Sequence, residues 1–471
     1  MEKKKQRPCT VDAFLSFINH FACSSAIVFL VGVVSIASCT KISEQVSQLS
    51  TGDESLKKEG NTKPNIIILL GDDVGYEIPV VDGGESYSTP NIDKMASEGM
   101  QFTRCHTSPL CSPSRFMLLT GKYNFRNYNN WGIMETSNRT MGNMLRDAGY
   151  KTLVAGKWQL GGGDTSIRAL GFDDYAVWNP FSGEGSENQD GKGSRYKDPQ
   201  VYINGSYMPK DSVRNKYGDD IFANYVKTFI KNNLENPFFV YYSICLVHPP
   251  FGPTPADAAF KTWDPRLSDK NYFPSMVNYM DAKVGDIMNF VKSKGISNNT
   301  LILYFGDNGT SGEITSLFNG ENLLGGKGST KESGTHVPLI AWWNGKIIPG
   351  SINGDLIDLT DFMPTLADVA NIPRPTTYGI LDGVSFAPAL FGQQAMPRSW
   401  VFCHYNPNPV KLPDVLKRWA QDKEFKYYES GKFVDYIKDP EEYNQLYDSL
   451  LTPEQMAIKS NLQAVIAGMH N

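Results

Sequence analysis

A chain of 471 residues with 41% hydrophobic and 12% aromatic side chains can bury a sizeable core, which excludes a disordered protein and allows one large domain or two to three smaller ones. Its formal net charge of -5 leaves no electrostatic footprint for nucleic acid. No block of like charge, internal repeat or long low-complexity tract interrupts the body of the chain.

The first elements in chain order are targeting features. Lys3, Lys4, Lys5 and Arg7 form a basic head, followed by an apolar run from Ala26 to Ala37 and then Ser38-Cys39. Residues 1–38 have the layout of a signal peptide, and the apolar run is shorter than the roughly 20 residues of a membrane span. Ile36-Ala37-Ser38-Cys39 resembles the lipobox of bacterial lipoproteins, in which the chain is cut before the cysteine and lipid is attached to its thiol. That resemblance implies an exported bacterial lipoprotein, periplasmic or at the cell surface, held to the membrane through Cys39. An ordinary signal with an incidental cysteine, or an uncleaved anchor, fits the same residues. Loss of residues 1–38 would leave a charge near -7. Beyond Cys39 the cysteines are Cys105, Cys111, Cys245 and Cys403, with no CxxC pairing that would suggest zinc. If Cys111 is consumed chemically, at most one disulfide remains available.

Residues 39–63 are polar and read as a tether. Asn65 to Leu70 is a continuous apolar run, as in a parallel strand buried on both faces, and similar runs recur at Phe238 to Cys245, Leu301 to Phe305 and Val337 to Trp343. Thr89-Pro90 predicts a helix start with a capping hydroxyl and Gly99 its stop, and a longer helix is predicted from Ser275 to Lys294. Alternation of strands and helices predicts an α/β sandwich. Phe425 to Glu429 and Lys432 to Tyr436 alternate around Ser430-Gly431, which predicts a β-hairpin, and a final helix follows Pro453. The expected division is a main domain over 64–395 and a small α+β subdomain over 396–471.

Chemistry is expected at strand ends. The first strand ends in Gly71-Asp72-Asp73-Val74-Gly75, and the strand at Leu301 ends in Gly306-Asp307-Asn308-Gly309. Asp and Asn beside Gly are often turn or cap residues. Two such sets together favour a site of hard oxygen ligands, suited to Ca²⁺ or Mg²⁺ rather than zinc.

The sharpest motif is Cys111-Ser112-Pro113-Ser114-Arg115, continuing through Phe116-Met117-Leu118-Leu119 to Thr120-Gly121. Here the chain resembles the type I sulfatases of the alkaline-phosphatase superfamily, whose signature is C-x-P-S-R followed by an apolar stretch and T-G. The resemblance continues in order through Asp72-Asp73, Thr89-Pro90-Asn91-Ile92-Asp93, the Cys111 motif, Gly156-Lys157-Trp158, His248-Pro249, Gly306 to Gly309, Gly325-Gly326-Lys327-Gly328 and Asp361 to Ala370. It implies an alkaline-phosphatase-like α/β/α sandwich with a large mixed, mostly parallel sheet, plus a small C-terminal subdomain with an antiparallel sheet. It also implies oxidation of Cys111 to formylglycine by a maturation enzyme. One Ca²⁺ would be held by Asp72, Asp73, Asp307 and Asn308, with an oxygen on modified residue 111. Arg115 and Lys157 would orient the modified residue and the sulfate, and His248 and Lys327 would contact the sulfate and its leaving oxygen. Fixed cations and a metal are what cleavage of an S–O bond requires as charge builds on the leaving oxygen.

One position departs from the family. Sulfatases commonly read Gly-Lys-Trp-His-Leu-Gly, whereas this chain reads Gly156-Lys157-Trp158-Gln159-Leu160-Gly161. Gln159 can hydrogen-bond but cannot act as the base that the family histidine supplies in the second half-reaction. His336, where arginine is common, is open between a substrate contact and a packed loop residue. Phe172, Tyr175 and Trp178 are expected in the core, and Gly183 to Lys197 forms either a loop at the substrate mouth or solvated surface. The expected activity is hydrolysis of sulfate esters, on sulfated carbohydrate or aryl sulfates. A phosphonate monoester or phosphodiester hydrolase, and a sulfoglycan-binding relative that has lost turnover, are the alternatives.

Overall fold

The computed structural model describes residues 63–181 and 193–469. The expected leader, and the tether apart from Lys63, lie outside them. All described residues belong to one compact unit within Thr62–Asn471.

The main sheet is built from β1 (Asn65–Gly71), β2 (Met100–His106), β3 (Lys151–Lys157), β4 (Asp174–Trp178), β5 (Tyr202–Ile203), β6 (Ser206–Tyr207), β7 (Phe238–Ser243) and β8 (Thr300–Gly306). A separate ribbon, β9 (Thr315–Phe318) and β10 (Glu321–Leu324), precedes its last strands, β11 (His336–Trp342), β12 (Ser351–Asn353) and β13 (Ile357–Asp358). The strand order is β12-β2-β11-β8-β1-β7-β3-β4-β5-β6, with β13 joining β2. Strands β4, β3, β7, β1 and β8 run parallel to one another, and β11 lies antiparallel between β8 and β2.

Strand β1 is apolar throughout because both of its faces are covered. Ile66, Ile68 and Leu70 enter one core, and Ile67 and Leu69 enter the other. The second core is closed by α1 (Pro90–Ser97), and the first by α2 (Cys111–Thr120) and α3 (Met141–Asp147). Further along, α4 (Gly218–Asn232) and α5 (Phe273–Ser293) cover the second core, and α6 (Phe362–Val369) the first. The result is the expected α/β/α sandwich. Two details differ from the sequence reading. The run to Cys245 leaves the sheet after Ser243, because Cys245 donates its N–H to the Asp219 carboxylate at 3.0 Å instead of to a neighbouring strand. Thr89 does not cap α1; its hydroxyl donates to Asp93 at 3.1 Å and accepts from the Val80 N–H at 2.9 Å.

A small antiparallel sheet follows, ordered β14 (Val401–Tyr405), β15 (Lys417–Gln421), β16 (Phe425–Tyr428) and β17 (Phe433–Asp435). The predicted hairpin is β16–β17, turning at Gly431 with φ 95°, where glycine carries no steric cost. The final helix, α7 (Pro453–Gly468), starts with Pro453 in its first turn and a reciprocal Thr452–Gln455 cap. Leu462 and Ile466 of α7 join Phe402, Ala420, Phe425 and Phe433 in the same core as the main sheet's first face. The expected segments 64–395 and 396–471 therefore share one hydrophobic core. The other face of the small sheet, through Tyr405, Trp419 and Tyr428, packs on Leu110 immediately before α2.

Candidate active site

Because β3, β7, β1 and β8 are parallel, their C-terminal ends open on one edge of the sheet. The register pairs Gly71 with Gly306, Leu70 with Ser243, and Gly156 with Ser243. Asp72, Asp307 and Lys157 are thereby brought to adjacent strand ends from positions scattered over more than two hundred residues. Asp73 follows with φ 61°, a left-handed conformation that aspartate enters more readily than most residues.

Helix α2 delivers the Cys111 motif to this edge. Residue 111 opens the helix, where first-turn N–H groups lack intrahelical partners and the dipole favours negative charge. Arg115, one turn later, lies on the same face. The two serines of the motif lock the turn: Ser112 accepts the Gly132 N–H at 3.0 Å, and Ser114 donates to the Ser108 carbonyl at 2.9 Å. Gly121, at φ 66°, ends the helix.

Four cationic side chains and three buried carboxylates interlock here. Lys157 donates to both oxygens of Asp72 at 2.8 Å, and Arg195 reaches the same carboxylate at 3.2 Å. Arg115 donates through Nε and Nη2 to Asp307 Oδ2 at 3.0 and 2.9 Å, and through Nη1 to the Lys157 carbonyl and the Ser243 hydroxyl. Lys327 donates to Asp73 at 2.7 Å. Burial opposes the charge of Asp72, but Lys157, His248, Arg115 and Arg195 override it and hold this carboxyl well below the usual range. Asp307 is pushed up to about 6, by burial first and then by the Asp72 charge, against the pull of Arg115. His248 is pushed down to about 3 by burial and by Arg195. Its Nδ1 lies 2.6 Å from the Pro249 carbonyl and so donates, leaving Nε2 4.0 Å from Asp73.

Among the described residues, two sets of side chains have the mutual spacing of metal ligands: Asp72, Cys111 and Asp307, and Asp72, Asp73 and His248, with ligand atoms within 4.8 Å of one another in each set. Asn308 donates from Nδ2 to Asp73 at 2.9 Å, while its buried Oδ1 has no hydrogen-bond partner among the described residues. An orphaned acceptor beside three carboxylates is a position that a cation satisfies.

The resemblance to sulfatases agrees with comparison to known proteins. The sulfatase family model matches residues 64–372, and the model described as N-sulphoglucosamine sulphohydrolase, C-terminal, matches residues 320–470. The chain belongs to the sulfatase family. It is 30% identical over 369 residues to N-acetylgalactosamine-6-sulfatase of Mus musculus, covering 71% of this chain and 68% of that one. It is 30% identical over 410 residues to arylsulfatase A of Homo sapiens, covering 80% and 77%. A solved structure of a protein in complex with its substrate D-glucosamine-2-N,6-O-disulfate superposes with a TM-score of 0.68 at 21% identity, covering 86% of this chain and 98% of that one.

This sulfatase carries site residues that sequence reasoning missed. Arg195 lies in the segment read as a loop or solvated surface, yet it is buried, stacked 4.0 Å over the Trp178 ring, and aimed at Asp72. Ser243 anchors Arg115, and Tyr196 donates to the carbonyls of Cys245 and His248 at 2.7 and 2.6 Å, fixing the turn that presents His248. Gln159 takes a left-handed conformation with φ 50°, donates its backbone N–H to the Asn179 carbonyl at 3.0 Å, and leaves its side-chain oxygen buried without a partner among the described residues. His336 resolves as a packed residue of this sulfatase, stacked on Tyr76 with centroids 4.4 Å apart and paired with Glu332. Phe172, Tyr175 and Trp178 are in the core, as expected. Cys105, Cys111, Cys245 and Cys403 are all free and buried.

Proposed function

We propose that this sulfatase hydrolyses sulfate monoesters on carbohydrates, using a formylglycine made from Cys111 and a Ca²⁺ held by Asp72, Asp73, Asp307 and Asn308. The observation that carries the reading is the placement of Cys111 against the Asp72 and Asp307 carboxylates, inside a ring of fixed cations. The residues fit the metal: the donors are oxygens, and Asn308 Oδ1 lacks a partner among the described residues. When present, the hydrated aldehyde supplies one hydroxyl to attack sulfur and another to release sulfate, and Ca²⁺ supplies Lewis-acid polarisation.

The rest of the work falls to the chain itself. Arg115 and Lys157 give the strand ends a fixed positive field without reorganisation. Lys327, half-buried and held by Asp73, has its ammonium form stabilised against the cost of burial, and so keeps a proton at the position proposed for the leaving oxygen. His248 presents Nε2 with its Nδ1 already committed to Pro249; an anion beside it raises its affinity for a proton, opposing burial. The names of the relatives, with an N-acetylgalactosamine-6-sulfatase among them, and the glucosamine disulfate complex support a sulfated sugar as substrate.

The test is release of inorganic sulfate from a panel of sulfated oligosaccharides, with aryl sulfate and aryl phosphonate esters assayed in parallel. Sulfate release dependent on Cys111 is expected; preferential cleavage of the phosphonate would overturn the reading. From sequence alone we also propose export, cleavage before Cys39 and lipid anchoring there. Cys39→Ser should abolish membrane retention; retention with residue 1 intact would show an uncleaved anchor.

A further inference from the structure

Beside the proposed active site lies a cavity of about 630 Å³ that the reaction does not use. One wall is the stretch Ser329 to Lys331, which continues directly from Lys327. Lys331 is four residues past Lys327, so their backbones are at most ~14 Å apart. The opposite wall is the start of β15 and the β16–β17 turn.

Charge distinguishes this cavity. Lys331, Lys417, Arg418 and Lys432 line it with two carboxylates, Glu429 and Glu442, and Lys331 is paired outside the lining with Glu441. Glu442 is already committed behind the wall: it accepts from the fully buried Lys426 at 2.8 Å and from the Tyr428 hydroxyl at 2.6 Å. Glu429 is engaged by Arg418 at 3.0 Å. Lys432 donates to the Glu442 carbonyl at 2.7 Å and lies 3.7 Å from its carboxylate, whereas Lys417 has no ion pair among the described residues. The wall is also rigid where it meets the site, because Thr330 is held by Tyr428 at 3.0 Å and by Lys426 at 2.6 Å.

We infer that this cavity is a second anion-binding subsite, which takes a sulfate or carboxylate group on a sugar neighbouring the one being desulfated. The inference deepens the proposed function: it makes the substrate an oligosaccharide with several anionic groups. Lys417 and Lys432 hold the second anion, and the Lys327–Lys331 stretch connects the two positions.

The test measures binding to full-length Cys111→Ala protein, so its outcome does not depend on turnover. Three hexasaccharide probes separate the chemistry: κ-carrageenan hexasaccharide (sulfate only), hexagalacturonate (carboxylate only) and neutral maltohexaose. At low salt, Lys417→Glu/Lys432→Glu should weaken binding of at least one anionic probe by roughly tenfold or more, with a flatter salt dependence. The probe that responds identifies the anion. Lys417→Glu alone, on an exposed side chain with no ion pair to lose, guards against misfolding of the double variant and should give a smaller loss. Unchanged affinity for both anionic probes, or equal binding of maltohexaose, would overturn the subsite. Charge-dependent binding by the Cys111→Ala protein, together with no sulfate release from any ester by the unsubstituted protein, would retain the subsite and sink the proposed activity.

Discussion

Arg115 grips Asp307 by a single oxygen. Both Nε and Nη2 donate to Oδ2, while Oδ1 accepts the backbone N–H of Asp73 at 3.0 Å. The carboxylate that closes one strand end is therefore fixed by a helix and by the neighbouring strand at once. Removing one partner of a buried ion pair leaves a charge uncompensated and typically costs ~3–5 kcal/mol. Arg115→Met should destabilise the protein by about that amount in urea unfolding, and Arg115→Met/Asp307→Leu should recover part of it. Equal stability of Arg115→Met and wild type would mean that the pair contributes nothing net.

Cys111→Ala should abolish sulfate release while leaving the unfolding midpoint close to wild type, since the thiol makes no structural bond. Peptide mass spectrometry on protein produced with a maturation enzyme should find an aldehyde at residue 111. Full turnover by the alanine variant would remove the nucleophile from the mechanism.

Calcium should stabilise the folded state by mass action, by about 2.7 kcal/mol at a free concentration one hundred times Kd. Chelation should lower Tm, and Ca²⁺ should restore it. Asn308→Ala removes the orphaned acceptor and should shift the Ca²⁺ titration to higher concentration. An identical titration in the variant would exclude Asn308 from the site.

Gln159→His would introduce a base at the position where the resemblance to sulfatases implies a histidine. If the second half-reaction is slow for want of that base, wild type shows a burst of released alcohol, and the variant loses the burst and gains steady rate; general-base assistance is worth about 10²–10⁴-fold. A fall in rate would show that Gln159 is fitted to its own site. Burst-free kinetics with an unchanged rate would remove position 159 from both steps.

Acid sensitivity should come partly from His106, pushed down to about 3 by burial despite the nearby Glu332 carboxylate. Its folded value lies below the unfolded value of about 6.5, so the unfolded chain takes the proton first. The stability contributed by the neutral form is present above that pH and is lost as pH falls, by about 1.4 kcal/mol per pH unit, until roughly pH 3. His106→Gln should lose less stability than wild type between pH 7.5 and pH 5. Parallel losses in the two proteins would place the acid sensitivity elsewhere.

The parts of the fold that the sequence made legible share one property. Strands β1, β7, β8 and β11 are covered on both faces, so their residues had to be continuously apolar. Strand β2, Met100-Gln101-Phe102-Thr103-Arg104-Cys105-His106, was not legible, because Arg104 reaches out to the Lys423 carbonyl and the apolar alternation is broken. Strand β15 hides similarly, with Lys417 and Arg418 facing the cavity and only Trp419 to Gln421 buried. Among the site residues, those at strand ends and at the start of α2 stand beside glycine or proline in recognisable runs. Arg195 has no such context; its role follows from the Trp178 ring that steers it, a contact no local pattern encodes.

The position of Cys111 has a consequence in time. The residue is only 5% exposed, at the head of a helix whose ten residues are all buried, and Leu110 before it is covered by strands made roughly three hundred residues later. If the proposed oxidation takes place, the thiol would be reached most readily as loose chain, before β14 to β16 arrive and shut the segment in. The proposed modification would then race against folding, and a molecule that folded first would keep its thiol sealed inside an otherwise finished structure.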